Sequence, residues 1–326
     1  MAFNRNQLQT SVPLTELSVK IRQAETSYVT ERLFPTKRVN KGTGKIRVYS
    51  RDNLRIETGP AGRRGVAREI DRRHGLMAFS TDEEAFRELI LDKDVRDADS
   101  DIQDMKLDAT QDLTDKQLLL REQRMITKAF TAGNYATGYS TTLAKAWTDP
   151  TSDPLKDIQT AKEPIRVGLA GNEADVLAIS HDVWRALELH PLVKERVLYN
   201  GQGPGGAAIV TKEAVAALFG VSEIVLVGAV YNSEEEGATE VPALVPMLTG
   251  KALLLHRGQI DGLRTVGYGA LLVPNDGDLG IRSYRPDDVL GEWVEARYEY
   301  GFTFKAVDSV TSGKSIAGHL LSNVAV

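Results

Sequence analysis

The sequence predicts an α+β fold of about two domains, and three observations carry that prediction. One long amphipathic helix occupies the end of the first third. Strands and helices alternate from Asn172, and the C-terminal part is β-rich. The chain has 326 residues, enough for a sizeable core, and its 42% hydrophobic and 26% charged residues match a globular protein.

The first twelve residues are polar. Leu14, Leu17, Ile21, Ala24 and Tyr28 then trace a short amphipathic helix from near Pro13, which ends by Phe34-Pro35 because proline disfavours a helical residue before it. Lys45 to Tyr49 reads as a strand whose partner is Leu76 to Ser80. Arg51 to Arg73 is therefore the excursion of a long two-stranded loop, with Gly59, Pro60, Gly62 and Gly65 at an irregular tip. Loops of this length without a core of their own tend to be functional.

Charge reverses along this stretch. Lys45 to Gly75 carries nine Lys/Arg against four acids, a net +5, and Asp82 to Asp115 carries thirteen acids against four bases, a net −9. The far end reads as one helix. Asp99 and Ser100 are N-caps, Asp101 and Asp104 suit the positive dipole end, and Lys128 lies near the negative end. Ile102, Met105, Ala109, Leu113 and Leu120 recur at helical steps, with Leu113 and Leu120 expected under a sheet, and Gly133 ends the run. About 33 residues at roughly 1.5 Å each make a rod of about 50 Å.

Ala136 to Asp153, rich in Thr, Ser and Gly around Trp147, reads as a linker. Pro154 opens a helix carrying Leu155, Ile158, Ala161 and Ile165; Pro164 inside it predicts a kink or two pieces. Val176 to Ser180 reads as a strand, His181 to Leu189 as a helix with Val183, Trp184 and Leu187 inward, and Pro191 as the start of another helix. A loop at Gly201 to Gly206, a helix from Thr211 to Phe219 stopped by Gly220, and a strand from Glu223 to Val227 follow. Further strands are expected at Ala252 to His256, Leu263 to Val273, Trp293 to Val307 and Ser315 to Leu321.

Several chemistries find no support. There is no cysteine, which excludes disulfides, Cys-ligated zinc and thiol nucleophiles. Gly201 to Gly206 fits GxGxxG, but a helix rather than a strand precedes it, so the dinucleotide mechanism lacks its context. His74, His181, His190, His256 and His319 are scattered, with no pair at the spacing of a zincin. The aspartates from Asp94 to Asp101 lack the glycine and glutamate of a calcium loop. No catalytic, cofactor-binding or metal residue is assigned. The net charge of −5 leaves nucleic acid at most a weak partner. The N-terminus has no signal-peptide core and no apolar run is long enough to span a membrane, so neither secretion nor membrane insertion is expected.

"ALELHPLVKERVLY" (Ala186 to Tyr199) followed by "LFGVSEIVLVGAVYNSEEEG" (Leu218 to Gly237) resembles the major capsid proteins of tailed phages. The tail "EWVEARYEYGFTFKAVDSV" with "GHLL" is similar to that family's long strand and closing strand. The resemblance runs from about Phe34 onward. It implies an N-terminal arm (1–44), an extended β-loop (45–80), a peripheral domain with a long spine helix (81–153, with about 275–300), and an axial α/β domain (154–274, with about 301–326).

The implied function is a structural one, a subunit that self-assembles as pentamers and hexamers into an icosahedral shell around a phage or prophage dsDNA genome. It implies assembly in the bacterial cytoplasm and residence in the virion. Portal, decoration and separate scaffolding proteins are possible partners; the short arm argues against a fused scaffold. DNA contact would be weak and non-specific. Arg51, Arg55, Arg63, Arg64, Arg68, Arg72 and Arg73 of the loop are expected to dock on a neighbour's acids, with Asp92, Asp94, Asp97, Asp99 and Asp101 as candidates. Between Arg47 and Gly75 every basic side chain except His74 is arginine, so the lysine–asparagine cross-link of some relatives is not expected. The tryptophan sought before "KALLL" is absent, which leaves that strand's pairing open. A bacterial encapsulin nanocompartment shell, which shares the fold, is the alternative reading; a soluble α/β enzyme built on Asn172 to Gly237 is the rival from another class.

Overall fold

The computed structural model describes residues 25–49, 51–59, 65, 69–71, 74–97, 102–201, 210–234, 244–258, 266–287, 289–309 and 311–325. A one-turn helix α1 (Thr30–Leu33) leads into β1 (Thr36–Val39), and β2 (Thr43–Tyr49) pairs with β3 (His74–Ser80) as an antiparallel ribbon. The strand β4 (Asp82–Leu91), a short helix α2 (Asp92–Asp97) and the spine helix α3 (Ile102–Ala129) follow. The expected caps at Asp99 and Ser100 lie outside the described residues.

Next come β5 (Ser140–Thr142), α4 (Pro154–Gly168), β6 (Val176–Ser180), α5 (His181–Leu189), α6 (Pro191–Gly201), α7 (Lys212–Phe219) and β7 (Glu223–Val227). The chain closes with β8 (Val230–Asn232), β9 (Leu244–Pro246), β10 (Lys251–Leu255), β11 (Gly269–Pro274), β12 (Gly280–Tyr284), β13 (Gly291–Phe304) and β14 (Gly318–Ser322).

Two five-stranded sheets organise these elements. In the first, β13 is the axis. Its first ten residues pair antiparallel with β4 along one side, from Gly291↔Leu91 to Tyr300↔Asp82. Along its other side lie β12 and then β11, and β1 extends the sheet by parallel pairing with β11. The spine helix crosses β4 and β13, enclosing Ala109 and Leu113 with Ile90, Val294 and Ala296.

The second sheet runs β5-β14-β10-β6-β7. Strand β6 is buried at every position, which explains its unbroken apolar run VLAIS. The parallel pair β6–β7 requires a crossover, and α5, α6 and α7 supply it. Strand β10 pairs antiparallel with both β14 and β6, which answers the question left open by the missing tryptophan.

The motifs behind the resemblance have local physical reasons. His190 is buried and its Nδ1 accepts from the Leu192 N–H at 3.2 Å, so the His-Pro pair turns the chain and caps α6. Thr211 caps α7, accepting from Ala214 N–H, and Gly220 ends it in the left-handed conformation at φ 63°, with Val221 N–H returning to Ala216 O.

The segment Asp82–Leu91 is a strand although its residues favour helix, because ten ladder pairs with β13 override propensity. Three expectations need correction. The inward face of the spine helix runs Ala109, Leu113, Gln117, Arg121, Met125 and Ala129; Leu120 sits beside it, half-buried, and is not core. Helix α4 is continuous through Pro164. The proline falls in its last turn, and Tyr139 Oη donates to the Pro164 carbonyl at 3.0 Å, crossing where Gly168 has no side chain to block it. Residues 136–153 are not a loose linker: β5 pairs with β14, and Trp147 is fully buried with Nε1 donating to Asp157 at 2.9 Å.

Candidate inter-subunit surface

The β2–β3 ribbon is sided. Ile46, Val48, Met77 and Phe79 face inward, while Lys45, Arg47, Leu76 and Ala78 are exposed. Its root is fixed where Gly42 O accepts from Thr81 N–H (2.8 Å) and Thr81 Oγ1 (3.0 Å), and Thr81 Oγ1 also bonds Glu299. A Cβ on residue 42 would strike both Thr81 and Glu299, so the close approach requires glycine.

Beyond the ribbon, Arg51–Leu54 forms a short 3₁₀ turn and Arg55 is exposed. Leu54, Ile56 and Ile70 are exposed too, Ile56 at 94%. Sequence reasoning counted this loop's charges and passed over these apolar residues. Their interleaving with arginine in an excursion without a core was the available signal, because apolar side chains held out into solvent suit a partner surface. Arg63, Arg64, Arg68, Arg72 and Arg73 lie outside the described residues.

The acidic segment is partly occupied within the chain. Glu83 pairs with Arg297 at 3.1 Å, Glu84 with Arg124, and Asp92 with Arg285. Glu295 joins Arg297 and Arg282, and these guanidiniums, Arg297 foremost, hold its carboxyl below the usual range. Asp94 is exposed, Asp97 closes α2, and Asp99 and Asp101 lie outside the described residues.

Two cavities lie among charged side chains. One of about 650 Å³ lies at the ribbon root, with Arg38, Lys41, Lys45 and Arg47 around a floor of Val39, Ile46, Phe79 and Leu272. Another of about 530 Å³ is lined by Arg32, His181, Lys212, Glu213 and Glu223. There Glu223 is held by Arg32 and by Arg257 at 2.8 Å, and His181 makes no hydrogen bond among the described residues. The second also has the Thr26, Ser27 and Ser222 hydroxyls in its lining, but among the described residues no hydroxyl in either cavity is hydrogen-bonded to a base. Among the described residues no group of His, Asp and Glu could hold a metal, and no helix is long and apolar enough to cross a membrane.

No protein-family model and no curated protein matches the sequence. Solved structures do match. A phage-related protein from Bordetella bronchiseptica RB50 aligns at TM-score 0.67 and 20% identity, covering 93% of this chain and 94% of that one. The capsid of cyanophage P-SCSP1u aligns at TM-score 0.59 and 11% identity over 99% and 95% of the two chains. The SrpI encapsulin from Synechococcus elongatus PCC 7942 aligns at 0.54 and 12%, over 97% and 96%. The fold is therefore that of a shell-forming subunit. It is the fold of tailed-phage major capsid proteins, which encapsulin shares.

Proposed function

We propose that this chain is the major capsid protein of a tailed phage or prophage, assembling as pentamers and hexamers into an icosahedral shell around dsDNA. The observation that carries the reading is end-to-end agreement with a capsid subunit, over 99% of this chain and 95% of that one. The extended ribbon, the spine helix and the two sheets all fall inside it. In this reading the protein is structural and has no active site. It assembles in the bacterial cytoplasm and stays in the virion, with separate scaffolding, portal and decoration proteins as partners and DNA contact weak and non-specific.

The chain divides into an arm, an extended loop, a peripheral domain around the spine helix and an axial domain around β6 and β10. Exposed Leu54, Ile56 and Ile70 support a loop that lies on a neighbour, where its arginines meet acids such as Asp94. Many weak contacts repeated over a closed symmetric lattice make a stable shell.

The likeness to the SrpI encapsulin supports a second reading, a nanocompartment shell enclosing protein. Expression alone or with the neighbouring genes, followed by electron microscopy and a nucleic-acid assay of purified particles, separates the readings. Closed particles holding nuclease-resistant DNA support the capsid, and particles holding protein cargo support the nanocompartment. A small soluble oligomer with no particles refutes both.

A further inference from the structure

We infer that Glu122 is the residue that positions the root of the extended ribbon, by clasping the N-terminal arm to the spine helix. The inference rests on the shell reading for its consequence, and on the geometry below for the clasp.

Midway along its inward face the spine helix turns polar, with Gln117, Arg121 and Glu122 all buried. Gln117 Nε2 donates to Glu84 O at 3.0 Å and Ala296 O at 3.2 Å, which fastens the helix to the sheet. Arg121 Nη1 reaches Glu31 at 3.3 Å and the Tyr298 hydroxyl at 3.4 Å. Glu122 is fully buried and turns to the arm. Its Oε1 accepts from Val29 N–H at 3.1 Å; its Oε2 accepts from Thr30 N–H at 3.1 Å and Thr30 Oγ1 at 2.5 Å.

Those two amides open α1, where a helix start has no partner of its own for them. Val29 and Thr30 are themselves fully buried, so water cannot serve instead. Two acceptor atoms with no attached hydrogen are needed side by side, and among side chains only a carboxylate supplies them. Glutamine would turn an NH₂ toward an N–H. Burial raises the Glu122 carboxyl above its ordinary value, while the hydrogen bonds from Thr30 and Val29 and the charge of Arg121 pull the other way.

From this clasp the path to the ribbon is rigid. Phe34 is buried among Tyr268, Phe302 and Phe304, at ring separations of 5.1, 5.2 and 6.1 Å. Leu271 N–H then donates to Pro35 O, β1 pairs with β11, and Arg38 meets Asp278 at 2.5 Å. The next fixed point is Gly42, at the ribbon root. The seven residues of β2 at roughly 3.3 Å each span about 23 Å, so a tilt of about ten degrees at the root displaces the far end by about 4 Å. That is enough to take a docking loop out of register with its neighbour.

Hydrogen exchange on unassembled protein, with electron microscopy of assembled protein, tests the inference in Glu122→Gln, Thr30→Val and Glu122→Asp. In Glu122→Gln and Thr30→Val, amides from 29 to 39 should exchange at least tenfold faster while β6 and β10 keep wild-type protection. Shells should be fewer or irregular. Glu122→Asp, with both acceptor oxygens, should recover part of both. Unchanged arm exchange in Glu122→Gln, or wild-type shells despite a loosened arm, overturns the inference. So does protection lost throughout the chain in Thr30→Val, which would make the contact a general stabiliser. If the wild type forms no shells, the shell reading fails, and the exchange result still decides the clasp.

Discussion

Truncating Leu113 to alanine tests how the spine helix meets its sheet. Leu113 is 2% exposed and packs with Ile90, Val294 and Ala296. The change removes three carbons, which at about 0.8 kcal/mol per buried CH₂ is about 2.4 kcal/mol of lost transfer energy. The neighbours Ala109 and Ala296 are too small to fill the space, so a cavity adds to the loss and the total should be about 3–4 kcal/mol. For 326 residues the unfolding entropy is about 0.7 kcal/mol/K, so the melting midpoint should fall by about 5 °C. Leu120→Ala, off the buried stripe and half-exposed, should cost about 1 kcal/mol or less and shift the midpoint by about 1–2 °C. Thermal melts of unassembled wild type and the two variants make the comparison. Equal shifts in both, or no shift in Leu113→Ala, would show that the helix lies on its sheet by a different face.

Reversing Arg63, Arg64 and Arg68 to glutamate should impair assembly and leave the subunit folded, with the far-ultraviolet circular dichroism of the wild type; normal shells from this triple variant would remove the loop's arginines from the interface. Purified shells boiled in detergent should run as one band near the 35.7 kDa monomer, because guanidinium stays protonated and forms no amide bond. A ladder of covalent oligomers would instead implicate a lysine outside the loop. His319 is 3% exposed and its Nε2 bonds Thr141 at 2.9 Å; burial lowers its pKa from 6.5 to about 4. The unfolded chain then binds the extra proton more readily, so stability is full above pH 6.5 and falls by up to about 3 kcal/mol as pH drops toward 4. Urea titrations of wild type and His319→Asn across that window should show the acid loss only in the wild type, and parallel curves would exclude His319 as its source.

The sequence by itself determined those features whose cause is local. Thr211 and Gly220 bound α7, Pro191 opens α6, and Val176–Ser180 reads as a strand, because caps, prolines and periodicity act within a few residues. The charge reversal between the loop and Asp82–Asp115 was legible in the same way. Only the tertiary structure decided the rest. DEEAFRELIL becomes a strand because β13, some two hundred residues later, supplies its ladder. Leu120 leaves the core and Gln117 enters it because backbone carbonyls at Glu84 and Ala296 await a donor. Pro164 stays within one helix, with Tyr139, from outside that helix, donating to its carbonyl. Glu122 reads in sequence as one more charge on a helix whose acids and bases balance. It becomes the arm's anchor only where folding brings Val29 and Thr30, more than ninety residues away, to its two oxygens. A carboxylate's role depends on which donors surround it, and those donors come from distant parts of the chain.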